Sequence, residues 1–175
     1  MTDEPRVRRA LADDAEALAR LHLACWEDAY ADLVDHGRLA PYLDDVDGAV
    51  HRWHQILAGP ARVRVAALDE TLVGFATVRP TTSAAPAHLG AIYTRRSHWG
   101  TGLGQRLLDE ALGDEPATLR VFRDNVRARR FYVRNGFVPD GTEAEEPYFG
   151  GIEIGMVRPA RTAPHLRADL PGCMG

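Results

Sequence analysis

Trp99-Gly100-Thr101-Gly102-Leu103-Gly104, running straight into Gln105-Arg106-Leu107-Leu108, is the stretch of this chain best suited to hold an anion. Glycine is a poor helix former, so three of them at alternate positions at a helix start call for a physical reason. The first N–H groups of a helix have no partner within it, and the aligned peptide dipoles make that end positive. Removing every second side chain lets a phosphate settle against those amides. Close packing of the helix on a sheet would also favour small residues, but it accounts less well for three alternating glycines at a strand–helix junction. Two common phosphate loops do not fit. A P-loop needs Gly-Lys-Ser/Thr, and this chain contains no lysine. The dinucleotide fingerprint reads G-x-G-x-x-G near a first parallel strand, whereas the spacing here is G-x-G-x-G, after several strand candidates.

The elements around this loop follow from hydrophobic period and turn chemistry. Val7–Ala10 reads as a short strand, and Asp13 with Glu16 as a capping box opening a helix over 14–30, with Leu18, Leu21, Cys25 and Trp26 at helical spacing. A polar stretch punctuated by Gly and Pro follows to about Asp47, then a helix over 49–57 ended by Gly59-Pro60. Val63–Ala67 and Leu72–Val78 form a hairpin, and His88–Thr94 is a further strand. The glycine loop and a helix over 103–112 come next, with Leu103, Leu107, Leu108, Ala111 and Leu112 on its apolar face. A strand at 117–122 and a helix from Asn125 to Arg134 follow, the latter stopped by Gly136. Phe137-Val138 and Ile152–Val157 close the order, joined by an acidic loop. The final residues, rich in Ala, Arg and Pro, read as a loosely held tail.

Bulk properties exclude several classes. The chain has 175 residues, 45% hydrophobic and 26% charged, as expected of a globular domain. A net charge of -4 argues against nucleic acid as a partner. No apolar run is long enough for a membrane span, and no apolar segment follows the charged N-terminus, so neither membrane nor secretion is expected. The two cysteines, Cys25 and Cys173, make neither a disulfide framework nor a metal knuckle. A reducing cytoplasm and no metal are expected.

The glycine loop resembles the Gln/Arg-x-x-Gly-x-Gly/Ala signature of the GNAT superfamily of acyl-CoA-dependent N-acyltransferases, with Trp99 where Gln or Arg is usual. A second match is Asn125, Ala128, Phe131, Tyr132, Gly136 and Phe137, which is similar to the family's Asn-x-x-Ala-x-x-Phe-Tyr-x-x-x-Gly-Phe motif. The two occur in the family's order, and the resemblance covers roughly residues 6–158. It implies an α/β (α+β) fold: a mixed central sheet of about six to seven strands and about four helices, splayed between the strand at 88–94 and that at 118–122. One domain over 1–159 and a tail over 160–175 are expected.

The resemblance also implies roles. The strand ending Ile92-Tyr93-Thr94 would pair with the pantetheine arm of coenzyme A. The amides of Gly100, Thr101, Gly102, Leu103 and Gly104 would hold its pyrophosphate, and Asn125 with Ala128 would flank the arm; Asn125 also reads as a helix N-cap. Tyr132, facing inward, is the candidate acid for the departing thiolate, or simply a core tyrosine. His88 and Glu153 are the candidate bases for the incoming amine. Trp26 and Tyr30 could wall the acceptor. Acidic residues on the first helix and the last loop would favour a cationic amine, or are merely solvated. Arg120, Arg123, Arg127, Arg129, Arg130 and Arg134 crowd one region, and one or two could reach phosphate. The expected function is acetyl transfer from acetyl-CoA to a primary amine of a small molecule or peptide by direct attack, with a homodimer in view. A non-catalytic acyl-CoA sensor is the alternative.

Overall fold

Seven strands form one sheet in the order β1-β2-β3-β4-β5-β7-β6 in a computed structural model that describes residues 4–148 and 150–160. The strands are β1 (Arg6–Arg9), β2 (Arg62–Leu68), β3 (Thr71–Arg79), β4 (Ala87–Thr94), β5 (Ala117–Phe122), β6 (Val138–Glu145) and β7 (Ile152–Arg158). The helices are α1 (Ala15–Tyr30), α2 (His36–Asp44), α3 (Val46–Ala58), α4 (Leu103–Ala111) and α5 (Val126–Arg134). All neighbouring strands run antiparallel except β4 and β5, which are parallel. The mixed α/β sheet fold expected from the sequence is thus present. Beyond Ala160, the expected tail lies outside the described residues.

Alternation along the strands gives the sheet two apolar faces. One buries Val73, Ala76, Val78 and Leu89 against Leu103, Leu107 and Leu108 of α4, with Tyr132 of α5. The other buries Val65 and Phe75 against Leu18 and Cys25 of α1 and Trp53 of α3. A small third cluster joins Tyr30, Leu39 of α2 and Phe122.

The feature that matters for function is a break between β4 and β5. They pair only at Ala87↔Ala117, His88↔Thr118 and Leu89↔Leu119. On the other side of β4, Thr77 pairs with Ala91 and Val78 with Leu89, leaving Gly90 as the extra residue of a bulge. A bulge bends its strand and ends regular pairing. From Gly90 onward β4 has no pairing with β5.

Four local expectations are corrected. Asp13 and Glu16 form no capping box. Asp14 instead accepts from Leu11 N–H at 2.7 Å and pairs with Arg8, while Glu16 pairs with Arg20. The Gly- and Pro-punctuated stretch contains α2, where Asp35 accepts from Arg38 N–H at 3.1 Å and Leu39 is fully buried, although Pro41 lies inside the helix. The next helix opens at Val46 rather than 49, capped by Asp45 on Gly48 N–H. The acidic loop after Val138 is largely strand β6, pairing with β7 across a register shift between Pro139 and Glu143. Every β6 residue is exposed, so this edge strand carries no hydrophobic period to read.

Candidate active site

A cleft of about 800 Å³ fills the gap between β4 and β5. Its walls come from β4 (Leu89–Thr94), the glycine loop and α4 start, β5, and one face of α5; Tyr30 and Glu153 sit among its lining residues.

The glycine loop is built for close approach. Gly100 and Gly102 adopt φ of 76° and 87°, left-handed values that glycine takes without penalty. A Cβ at either would meet nothing within 4 Å, so the side chains are missing where the loop faces open space. Gly102 is the N-cap of α4, and Arg106 N–H returns to its carbonyl at 3.2 Å. Among the described residues, the amides of Gly100, Thr101, Gly102 and Gly104 donate no hydrogen bond within the protein, while Leu103 N–H reaches Thr101 Oγ1 at 3.4 Å. A Cβ at Gly104 would lie 3.8 Å from the Phe131 ring of α5, an ordinary contact, so packing does not demand glycine there. These bare amides at a positive helix end suit an anionic group.

Trp99 staples the loop. Its indole N–H donates to Thr94 O at 3.1 Å, and the Arg127 guanidinium lies 3.6 Å from its ring centroid. Across the cleft, Asn125 caps α5 by accepting from Ala128 N–H at 3.1 Å, and both residues line the cavity.

At the inner end three phenols gather. Tyr132 is 8% exposed, and burial pushes its pKa up, with Tyr30 adding to the shift and Arg127 opposing it. The hydroxyls of Tyr30 and Tyr93 are 2.5 Å apart. Burial raises Tyr30 to about 12 and Tyr93 well above the ordinary value. Glu153 lines the same end, and burial raises its carboxyl pKa, with Glu146 adding repulsion and Arg120 opposing.

Four expected site residues stand apart from the cleft lining: Thr101 and Leu103 of the glycine loop, the latter buried in the core, and His88 and Trp26. His88 lies on the paired part of β4, its Nδ1 2.9 Å from Thr118 Oγ1; burial, with Arg79 and Arg120, lowers its pKa. Trp26 lies behind the wall, its ring 4.6 Å from that of His22 and its indole hydrogen-bonded to the Tyr93 hydroxyl.

The crowded arginines are sorted by their neighbours. Arg123 faces Asp124 and Glu143, and Arg129 donates to Arg123 O. Arg120, Arg127, Arg130 and Arg134 line the cleft. Three of these recur at i, i+3 and i+7 on α5, a helical stripe that spacing alone could have picked out.

This arrangement coincides with a known family. The sequence pattern of the acetyltransferase (GNAT) family matches residues 15–137, and the chain belongs to that family. Its fold is similar to that of the PaiA N-acetyltransferase from Thermoplasma acidophilum, solved in complex with coenzyme A. That pair has a TM-score of 0.72 and 20% identity, over 89% of this chain and 99% of the other. YncA from Salmonella typhimurium, solved with acetyl-CoA, superposes with a TM-score of 0.65 and 16% identity, over 94% of this chain and 99% of that one. An acetyltransferase from Thermus thermophilus gives a TM-score of 0.64 and 21% identity, over 90% and 98%. No curated protein matches the sequence. Among the described residues no helix is long and apolar enough to cross a membrane.

Proposed function

We propose that this protein transfers an acetyl group from acetyl-CoA to a primary amine, by direct attack of the amine on the thioester. The observation that carries the reading is one cleft joining three features: the bare amides of the glycine loop, the free edge of β4 after Gly90, and the buried hydroxyl of Tyr132. The loop would hold the pyrophosphate and the β4 edge the amide-rich arm, and acetyl-CoA supplies the activated acyl group.

Tyr132 is assigned the stabilisation of the leaving thiolate. With its pKa raised it stays protonated at neutral pH, and it acts as a hydrogen-bond donor to charge developing on sulfur. Glu153 is assigned the removal of the proton from the incoming ammonium, because it lines the cleft while His88 is engaged with Thr118. A carboxylate there, with Glu146 behind it, also favours a cationic acceptor. Neither role involves a covalent enzyme intermediate. Cys25 is buried, with its thiol pushed up to about 12, and is unsuited to act as a nucleophile.

The test is release of free thiol from acetyl-CoA over a panel of polyamines, aminoglycosides, amino acids and peptides. Tyr132→Phe is expected to lower kcat about 100-fold with little change in the KM for acetyl-CoA. Unchanged turnover in that variant removes the assigned role. Binding of acetyl-CoA with no turnover on any amine favours the sensor.

A further inference from the structure

The opening between β4 and β5 is approached from both faces of the sheet. Tyr132 reaches it from α5, on the face that α4 covers. Tyr30 reaches it from the last turn of α1, on the opposite face. Its ring meets both lips edge-on, with centroids 6.2 Å from Tyr93 of β4 and 5.1 Å from Phe122 of β5. Tyr30 is 9% exposed, lines the cleft with Tyr132, and lies near enough to shift the Tyr132 pKa. The proposed reaction gives Tyr132 the departing sulfur and Glu153 the ammonium, and leaves Tyr30 without a part.

The hydrogen bonds behind Tyr30 set the direction of its own. An indole N–H can only donate, and that of Trp26 donates to the Tyr93 hydroxyl. Among the described residues, the acceptor in reach of the Tyr93 proton is the Tyr30 hydroxyl oxygen, 2.5 Å away. Tyr93 therefore donates and Tyr30 accepts, so the Tyr30 proton is not spent in this pair. Burial keeps that proton in place, with the Tyr30 pKa raised to about 12. Accepting a bond from a buried donor also strengthens the bond Tyr30 gives, because chains of hydrogen bonds polarise one another.

The reaction decides which group such a donor suits. The incoming amine needs its lone pair for attack, and a donor bound there would block it. The thioester carbonyl gains negative charge on oxygen, and a fixed donor stabilises that charge. We propose that Tyr30 is a further catalytic residue: its hydroxyl donates to the thioester carbonyl oxygen, with Tyr93 and Trp26 as positioning residues that set the direction of the bond. Glu153 first takes a proton from the ammonium. The amine lone pair then forms the C–N bond, and the C=O pair moves onto the oxygen that Tyr30 holds. As that pair returns, the C–S bond breaks and the thiolate leaves toward Tyr132, while the nitrogen gives its remaining extra proton to water. Tyr30 keeps its proton throughout. The inference rests on the cleft being an acetyl-CoA site.

Infrared difference spectra of bound acetyl-CoA, isotopically labelled at the thioester carbonyl, read that hydrogen bond on the whole chain without turnover. Tyr30→Phe is expected to move the carbonyl band to higher wavenumber and to lower kcat about 100-fold, the usual loss for one such donor. Its affinity for acetyl-CoA by calorimetry should be nearly unchanged. Tyr93→Phe keeps the Tyr30 hydroxyl but not its orientation, and should move the band part of the way in the same direction. It carries the same test should Tyr30→Phe fail to fold. A band that stays in place in these variants overturns the assignment even if kcat falls, because a hydroxyl that serves packing or Glu153 leaves the carbonyl untouched. That outcome leaves the acetyl-CoA site standing. An unmodified protein that binds no acetyl-CoA overturns the assignment and the proposed function together.

Discussion

Glu153 and Tyr132 face one cleft, and burial shifts both in the same direction. For the phenol, a raised pKa preserves the proton that a leaving thiolate needs nearby. For the carboxyl, it makes a stronger base than an ordinary glutamate, yet one that is lost sooner on acidification. The rate is therefore expected to fall as pH drops through the raised pKa of Glu153, where the carboxylate becomes protonated. Glu153→Gln should lower kcat by about 100-fold and flatten that acidic limb, read from a pH–rate profile. His88→Gln should leave the limb in place; if it vanishes there instead, the base is His88. Both candidates were legible as chemistry-bearing residues. Their separation by the cleft was not, because His88 and Glu153 lie on different strands and neither sequence position states what lies opposite.

The glycine loop and α4 act as one element. The alternation of glycines was readable, and so was the helix behind it, from Leu103, Leu107, Leu108 and Ala111, all of them buried. Gly102→Glu is expected to leave the fold intact, since a Cβ there points into open space, at a cost of roughly 1–2 kcal/mol for a left-handed conformation. The added negative charge should abolish coenzyme A binding, measured by calorimetry alongside circular dichroism. Retained affinity would place the pyrophosphate elsewhere. At this scale α2 and β6 escaped the sequence. α2 breaks the helical pattern with Gly37 and Pro41 and is held by Leu39, which touches Tyr30 and Phe122 across the fold. β6 is solvated on both faces, so only its backbone pairing with β7 makes it a strand.

For the whole molecule, folding must secure a sheet whose middle is partly unpaired. Stability must come from the layers on both faces and from ties at the edges. One tie is Asp14, which takes two hydrogen bonds from Arg8 at 2.7 and 2.8 Å and joins β1 to the turn before α1. The Arg8 guanidinium is the main cause that holds the Asp14 carboxyl below its usual range, with Leu11 N–H assisting against a desolvation penalty. A depressed folded-state pKa adds stability above the unfolded value of about 3.9, and that stability is lost as pH falls through the folded value. Asp14→Asn should therefore cost about 1–3 kcal/mol at pH 7 in a urea titration. The difference should shrink toward zero in strong acid. A gap that persists there would mean the loss is one of packing rather than charge.

Local rules were sufficient for the parts of this protein that repeat within a few residues. Glycine at alternate positions, the 3.6-residue apolar stripe of α4 and the Asn125-to-Phe137 motif are short-range patterns, and they carry the family resemblance with them. The opening between β4 and β5 depends on a bulge at Gly90 and on parallel pairing with β5, a strand that lies beyond α4 in the chain. The pairing of Tyr30 with Tyr93 joins residues 63 positions apart. Such features arise from contacts between distant segments, whose closure no local period encodes.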